Sequence, residues 1–149
     1  MRATLIGAFL LLLFLAVRSS VVVSGAQTTP PRSADNQVAR GRYLVEEVAK
    51  CTECHTPRDA NFELDRGRWL QGASIWIQPV QPVTNWAQFA PTLAGLPSMS
   101  DDQVERVLEK GEGANGRAIE PPMHIYHLSH ADAQAIIAYL RSLPTATNR

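Results

Sequence analysis

The chain has two cysteines, no net charge and no long apolar run beyond its N-terminal segment, and each shortage excludes something. Cys51 and Cys54 stand together, so no second cysteine pair exists to complete a closed zinc site. No cysteine directly follows the N-terminal apolar run, which rules out a lipid-bearing mature N-terminus. The 14 basic residues are matched by 14 acidic ones, and Arg2 and Arg18 fall in a segment that carries no acid. The remaining body is therefore slightly acidic and has no basic footprint for a nucleic acid. With 45% hydrophobic and 19% charged residues, the composition fits neither a disordered tail nor a polytopic membrane protein. A length of 149 residues leaves room for one compact core.

Residues 1–26 read as an export segment. Arg2 is a short positive start, Leu5 to Val17 an apolar stretch, and Ser24-Gly25-Ala26 a small-residue cleavage site, so a mature chain would begin near Gln27. The alternative is an uncleaved anchor over residues 3–23, because Val21 to Val23 extend the run towards the length of about 20 residues that spans a bilayer. Arg18, Ser19 and Ser20 interrupt it. Either reading puts the body outside the cytoplasmic membrane, in a bacterial periplasm. Residues 27–35, with Pro30 and Pro31, read as a flexible leader, and residues 36–145 as the domain.

Within that domain, Val38, Leu44, Val45 and Val48 recur at helical spacing and predict a helix from Asn36 to Lys50, capped by Asp35 or Asn36. Gly41 shares its apolar face, where glycine costs about 1 kcal/mol relative to alanine, so another element is expected to approach closely there. Tyr139 is a candidate to fill that notch. The stretch Pro57 to Pro97 holds all three tryptophans, Trp69, Trp76 and Trp86, and shows no sustained period. It reads as an apolar, loop-rich wall, with a short hairpin expected over Trp69 to Ile77. Ser100 opens a second helix, with Gln103 completing a capping box and Lys110-Gly111 ending it. Ser129 starts the last helix, whose face is Ala133, Ile136, Ile137, Leu140 and Leu143, and Pro144 stops it.

The chemistry is concentrated in CTECH, Cys51 to His55. Two thiols at this spacing add across the two vinyl groups of one haem edge, and the imidazole of the next residue then falls beneath the iron. A plain disulfide, giving a stapled binding module without haem, accounts for the cysteines but not for His55. Thiol oxidoreductase motifs sit at a strand-to-helix junction, whereas this one follows a predicted helix.

Over roughly Asn36 to Pro144 the chain resembles the class I c-type cytochromes, on ARGRYLVEEVAKCTECH at one end and PPMHIYHLSHADAQAIIAYLRSLP at the other. The resemblance implies an all-α domain of at least three helices with long loops around one haem c, the first helix crossing the last. Cys51 and Cys54 would hold the haem, with His55 and Met123 as axial ligands. Proline often follows the ligand methionine in that family, and His124 stands there instead. His127 and His130 are taken to cap or face solvent, and Met99 to pack on Val104 ahead of the Ser100 cap. The proline carbonyl that commonly orients the proximal imidazole is left unassigned, since no proline occurs from Arg58 to Gln78, Pro57 is very close to His55 and Pro91, in APTLAG, is far along the chain. Some backbone carbonyl is still expected to do so.

With both axial positions filled, the expected function is electron transfer between redox protein partners rather than catalysis. The chain would act as a shuttle or as the cytochrome subunit of an exported dehydrogenase or respiratory complex, monomeric or within that complex. A soft thioether ligand in an apolar pocket implies a positive midpoint potential. The competing class, a haem peroxidase or gas-binding protein, requires an open distal position.

Overall fold

The computed structural model describes residues 33–113 and 115–145; the predicted export segment and the leader as far as residue 32 lie outside the described residues. Among the described residues no helix is long and apolar enough to cross a membrane. Helix α1 spans Ser33–Tyr43 and runs directly into a π-helical turn, Leu44–Val48. Its last bond joins the amide of Ala49 to the carbonyl of Leu44, five residues back, at 2.8 Å. The first helix thus begins at Ser33 rather than Asn36, and Asp35 and Asn36 lie inside its first turn rather than capping it.

Lys50 then takes a left-handed conformation, φ 50°, which ends one helix and starts the next, α2 at Cys51–His55. Helix α3 spans Asp101–Lys110 and α4 spans His130–Ser142. The cap chemistry follows the sequence. Ser100 and Gln103 form a reciprocal box, Gly111 closes α3 with φ 71°, and the Ser129 hydroxyl accepts from the Asp132 amide.

The hairpin expected over Trp69 to Ile77 does not form. Strand β1, Ala73–Ser74, pairs antiparallel with β2, Phe89–Ala90, in the register Ala73 to Ala90 and Ser74 to Phe89. The cause lies just upstream. Leu70 and Gly72 adopt φ values of 56° and 81°, and the Leu70 carbonyl accepts from the amides of both Leu93 and Ala94. Those two hydrogen bonds turn the chain back onto a segment some 20 residues on, in place of a local partner.

The core joins Leu44 and Val45 of the π turn to Ala133, Ile136, Ile137 and Leu140 of α4, with Val104 and Leu108 from α3 and Leu70, Ala94 and Leu96 from the loop wall. Helices α1 and α4 cross at Gly41, where an added Cβ would lie 1.9 Å from the carbonyl oxygen of Ala135 and 2.8 Å from Cβ of Tyr139. The notch therefore seats the backbone of α4 as well as Tyr139. Arg141 fastens α4 to the wall by donating to the carbonyls of Gly95, Leu96 and Met99 and to the Asp101 carboxylate. The outcome is an all-α domain whose two short strands only brace the loop wall.

Candidate haem-binding site

Cys51, Cys54 and His55 occupy one short helix, α2, directly after the helix that crosses α4. Cys51 and His55 are buried and Cys54 is half-buried; both thiols are free. Two loop segments cradle the helix. The Gly72 amide donates to the His55 carbonyl at 2.8 Å, and the Leu70 amide donates to the buried Thr56 hydroxyl at 3.0 Å. Gly72 tolerates no side chain here, because a Cβ would meet the Ala90 carbonyl at 2.9 Å and the Thr92 amide at 3.0 Å.

The carbonyl that sequence reasoning required but could not assign belongs to Pro91. His55 Nδ1 donates to it at 2.8 Å across 36 residues, which fixes the tautomer with the lone pair on Nε2. Nε2 has no hydrogen-bond partner among the described residues. Burial lowers the His55 pKa, opposed in part by the Pro91 carbonyl, so the ring is neutral as a metal ligand must be.

Burial pushes the Cys51 thiol up to about 11, with the charge of Cys54 adding to it against a backbone hydrogen bond. Burial and the charge of Glu53 raise Cys54 against the pull of Arg58. Thiols held protonated in this way make poor thiol-exchange nucleophiles, which argues against the oxidoreductase reading of the same motif. Two unpaired thiols followed by a neutral imidazole, steered through one nitrogen and unpartnered on the other, fit the attachment and proximal ligation of a c haem.

Met123 lies on the loop before α4, half-buried, its amide donating to Glu120 at 3.2 Å. That loop reaches the motif through Tyr126, whose hydroxyl donates to the carbonyl of Ala49, two residues before Cys51, at 2.7 Å. Burial first, and then the charges of Cys51 and Cys54, push the Tyr126 phenol up to about 12, so it remains a donor at neutral pH. Sequence reasoning missed Tyr126, because its partner is a main-chain carbonyl 77 positions away.

His127 and His130 are exposed. His127 is bonded to the Glu109 carbonyl, and His130 is paired with the carboxylates of Glu105 and Glu109 at the surface. Met99 packs against the core. The tryptophans divide. Trp69 packs on the core under the Arg66 guanidinium, 4.1 Å from its ring centre, and Trp86 donates to the Ile77 carbonyl at 3.3 Å. Trp76 lies at the surface, edge-on to Phe62, with Arg58 over both rings. Arg58 was also missed by sequence reasoning. Its guanidinium pairs with Glu53 at 2.8 Å, while its Nε is a buried donor with no partner among the described residues.

A helix that offers two thiols and then an imidazole steered by a distant carbonyl defines the class, a haem-attaching domain of the c type. The chain belongs to the cytochrome c family, whose profile, described as "Cytochrome c", matches residues 38–144. Membership carries covalent haem c and an electron carrier's role. Among curated proteins the chain is similar to the fructose dehydrogenase cytochrome subunit of Gluconobacter japonicus, 38% identical over 110 residues that make up 70% of this chain and 22% of that one. It is similar also to the cytochrome c subunit of a quinone alcohol dehydrogenase of Gluconobacter oxydans, 31% identical over 74% of this chain and 25% of the relative. The gluconate 2-dehydrogenase cytochrome c subunit of Pantoea cypripedii is 32% identical over 76% of this chain and 28% of its own length. The chain therefore spans about a quarter of the length of these relatives.

Proposed function

We propose that this domain holds one haem c through Cys51 and Cys54, with His55 and Met123 as axial ligands, and passes single electrons as the cytochrome subunit of an exported dehydrogenase. Similarity to the cytochrome subunits of fructose, alcohol and gluconate dehydrogenases supports the subunit role. The observation that carries the site is the His55 to Pro91 bond at 2.8 Å, which commits Nδ1 and leaves Nε2 as the ligand atom. Two cysteines in a single CTECH motif support one haem.

Bound haem supplies a one-electron ferric/ferrous couple. The protein's part is to hold both axial side chains and to bury the site among apolar groups, which disfavours the more highly charged ferric form. With His55 and Met123 both holding the haem, no coordination position would be left for a substrate, and the domain would relay electrons between redox proteins. Residues 1–26 act as the export segment, and residues 36–145, lengthened at the start by the first turn of α1, work in the periplasm.

Protein exported with cytochrome-maturation machinery should show narrow low-spin bands and the weak red-region band of a sulfur–ferric bond, with one haem per chain by haemochrome assay. Low-spin bands without the sulfur feature would remove Met123 as ligand. A colourless protein would overturn the haem assignment.

A further inference from the structure

We infer that Tyr126 is a positioning residue for Met123, a latch that holds the distal loop closed against the backbone leading into Cys51. The inference rests on Met123 as the distal ligand, as proposed above.

The loop from Met123 to Leu128 has no regular structure, yet it is held both to α3 with its cap and to the segment leading into Cys51. Ile125 sits over Gly111, at the end of α3, so closely that a Cβ there would lie 2.7 Å from its Cγ2. The Leu128 amide donates to the Leu108 carbonyl at 3.0 Å. Those points, together with the His127 ring bonded to the Glu109 carbonyl, all tie the loop to α3 or its cap. Only the Tyr126 bond reaches the thiol-bearing segment. There the Tyr126 hydroxyl donates to Ala49 at 2.7 Å, and the Tyr126 ring is also met edge-on by His124, the neighbour of Met123, at 4.9 Å between ring centres.

The acceptor is available because of the local backbone. The π turn ends at Val48 and Lys50 turns left-handed, so the amide four residues beyond Ala49 bonds elsewhere: Glu53 donates to the Lys50 carbonyl. Among the described residues, Tyr126 is the hydrogen-bond partner of the Ala49 carbonyl. The bond therefore joins the loop carrying the distal residue to the residue two before the first thiol, and it opposes any motion that lifts the loop away.

The test is displacement of Met123 by added imidazole, read as loss of the sulfur–ferric band in the holoprotein. An outside ligand binds only after the loop opens, so its apparent affinity is scaled by the open fraction. Tyr126→Phe keeps the ring and removes the donor. A hydrogen bond of net worth about 0.5–1.5 kcal/mol makes opening about two- to tenfold more frequent without it, and the imidazole dissociation constant should fall by the same factor. Ser100→Ala, which removes the cap at the far end of α3 from the loop, is the control for general destabilisation and should leave that constant unchanged.

An unchanged constant in Tyr126→Phe, or an equal fall in Ser100→Ala, would overturn the latch while leaving the ligand assignment intact. A wild-type protein lacking the sulfur band, or a Met123→Ala variant retaining it, would remove the ligand assignment and the latch with it.

Discussion

Replacing Gly41 with alanine sets two effects of known sign against each other at the crossing of α1 and α4. In an isolated helix the change would be favourable, since glycine costs about 1 kcal/mol relative to alanine. Here the new methyl would lie 1.9 Å from the Ala135 carbonyl oxygen, 2.6 Å from its carbon and 2.8 Å from Cβ of Tyr139. Two of those three atoms are backbone of α4, held by the helix itself, so no rotamer change relieves the clash. The helices must separate instead, and separation loosens the seam of Leu44, Val45, Ile136 and Leu140. Overpacking of this kind costs about 1–3 kcal/mol, and more where backbone has to move. Because backbone has to move, the upper end of about 3 kcal/mol applies, and after the propensity gain of about 1 kcal/mol is subtracted a net loss of about 2 kcal/mol remains. For a domain of this size that lowers Tm by about 8 °C, at about 4 °C per kcal/mol. Guanidinium unfolding of the holoprotein, followed by helix circular dichroism, should show a lower midpoint at unchanged slope. A midpoint equal to or above that of the wild type would refute the reasoning, for it would mean that helix propensity outweighs the contact.

Two further outcomes follow from the residues around the site. Thr56→Val conserves shape but leaves the buried Leu70 amide without its acceptor, so the holoprotein should lose about 1–3 kcal/mol, and the Leu70 amide should exchange faster with solvent; unchanged exchange would show that the hydroxyl is dispensable. Burial alone would raise the Glu46 carboxyl, but the Tyr139 hydroxyl, Arg42 and the Trp69 indole hold it below its ordinary 4.5. Because the folded value is the lower one, Glu46 contributes stability that is present above about pH 4.5 and is lost as pH falls through the folded value. Glu46→Gln should therefore be less stable than the wild type at neutral pH, and the gap in unfolding midpoint should narrow on acidification. A gap that stays constant with pH would mean that the carboxylate's charge contributes nothing.

Much of the site was legible because its information is local. CTECH places two thiols and an imidazole within five consecutive residues, and no fold has to be known to read the proposed haem attachment from that spacing. The caps at Ser100 and Ser129 and the stop at Gly111 are likewise one-turn effects, while the close approach of α4 is signalled by a glycine on the apolar face at Gly41, and all appear as the sequence implies. The misses have one physical character. Asp35 and Asn36 looked like caps because the apolar period begins after them, yet the polar first turn at Ser33 is helical without an apolar face. Trp69 to Ile77 has strand-like composition, but backbone carbonyl bonds from Leu70 to Leu93 and Ala94 decide its partner, and composition does not encode main-chain acceptors.

The sequence by itself determined the CTECH motif, the helical class, the caps of α3 and α4 and the family. Tertiary structure alone decided that Pro91 steers His55, that Tyr126 ties the Met123 loop to Ala49, and that β1 pairs with β2. Each of those is a bond to backbone across a long stretch of chain. Every residue offers the same carbonyl and the same amide, so only the folded path selects which of them meet.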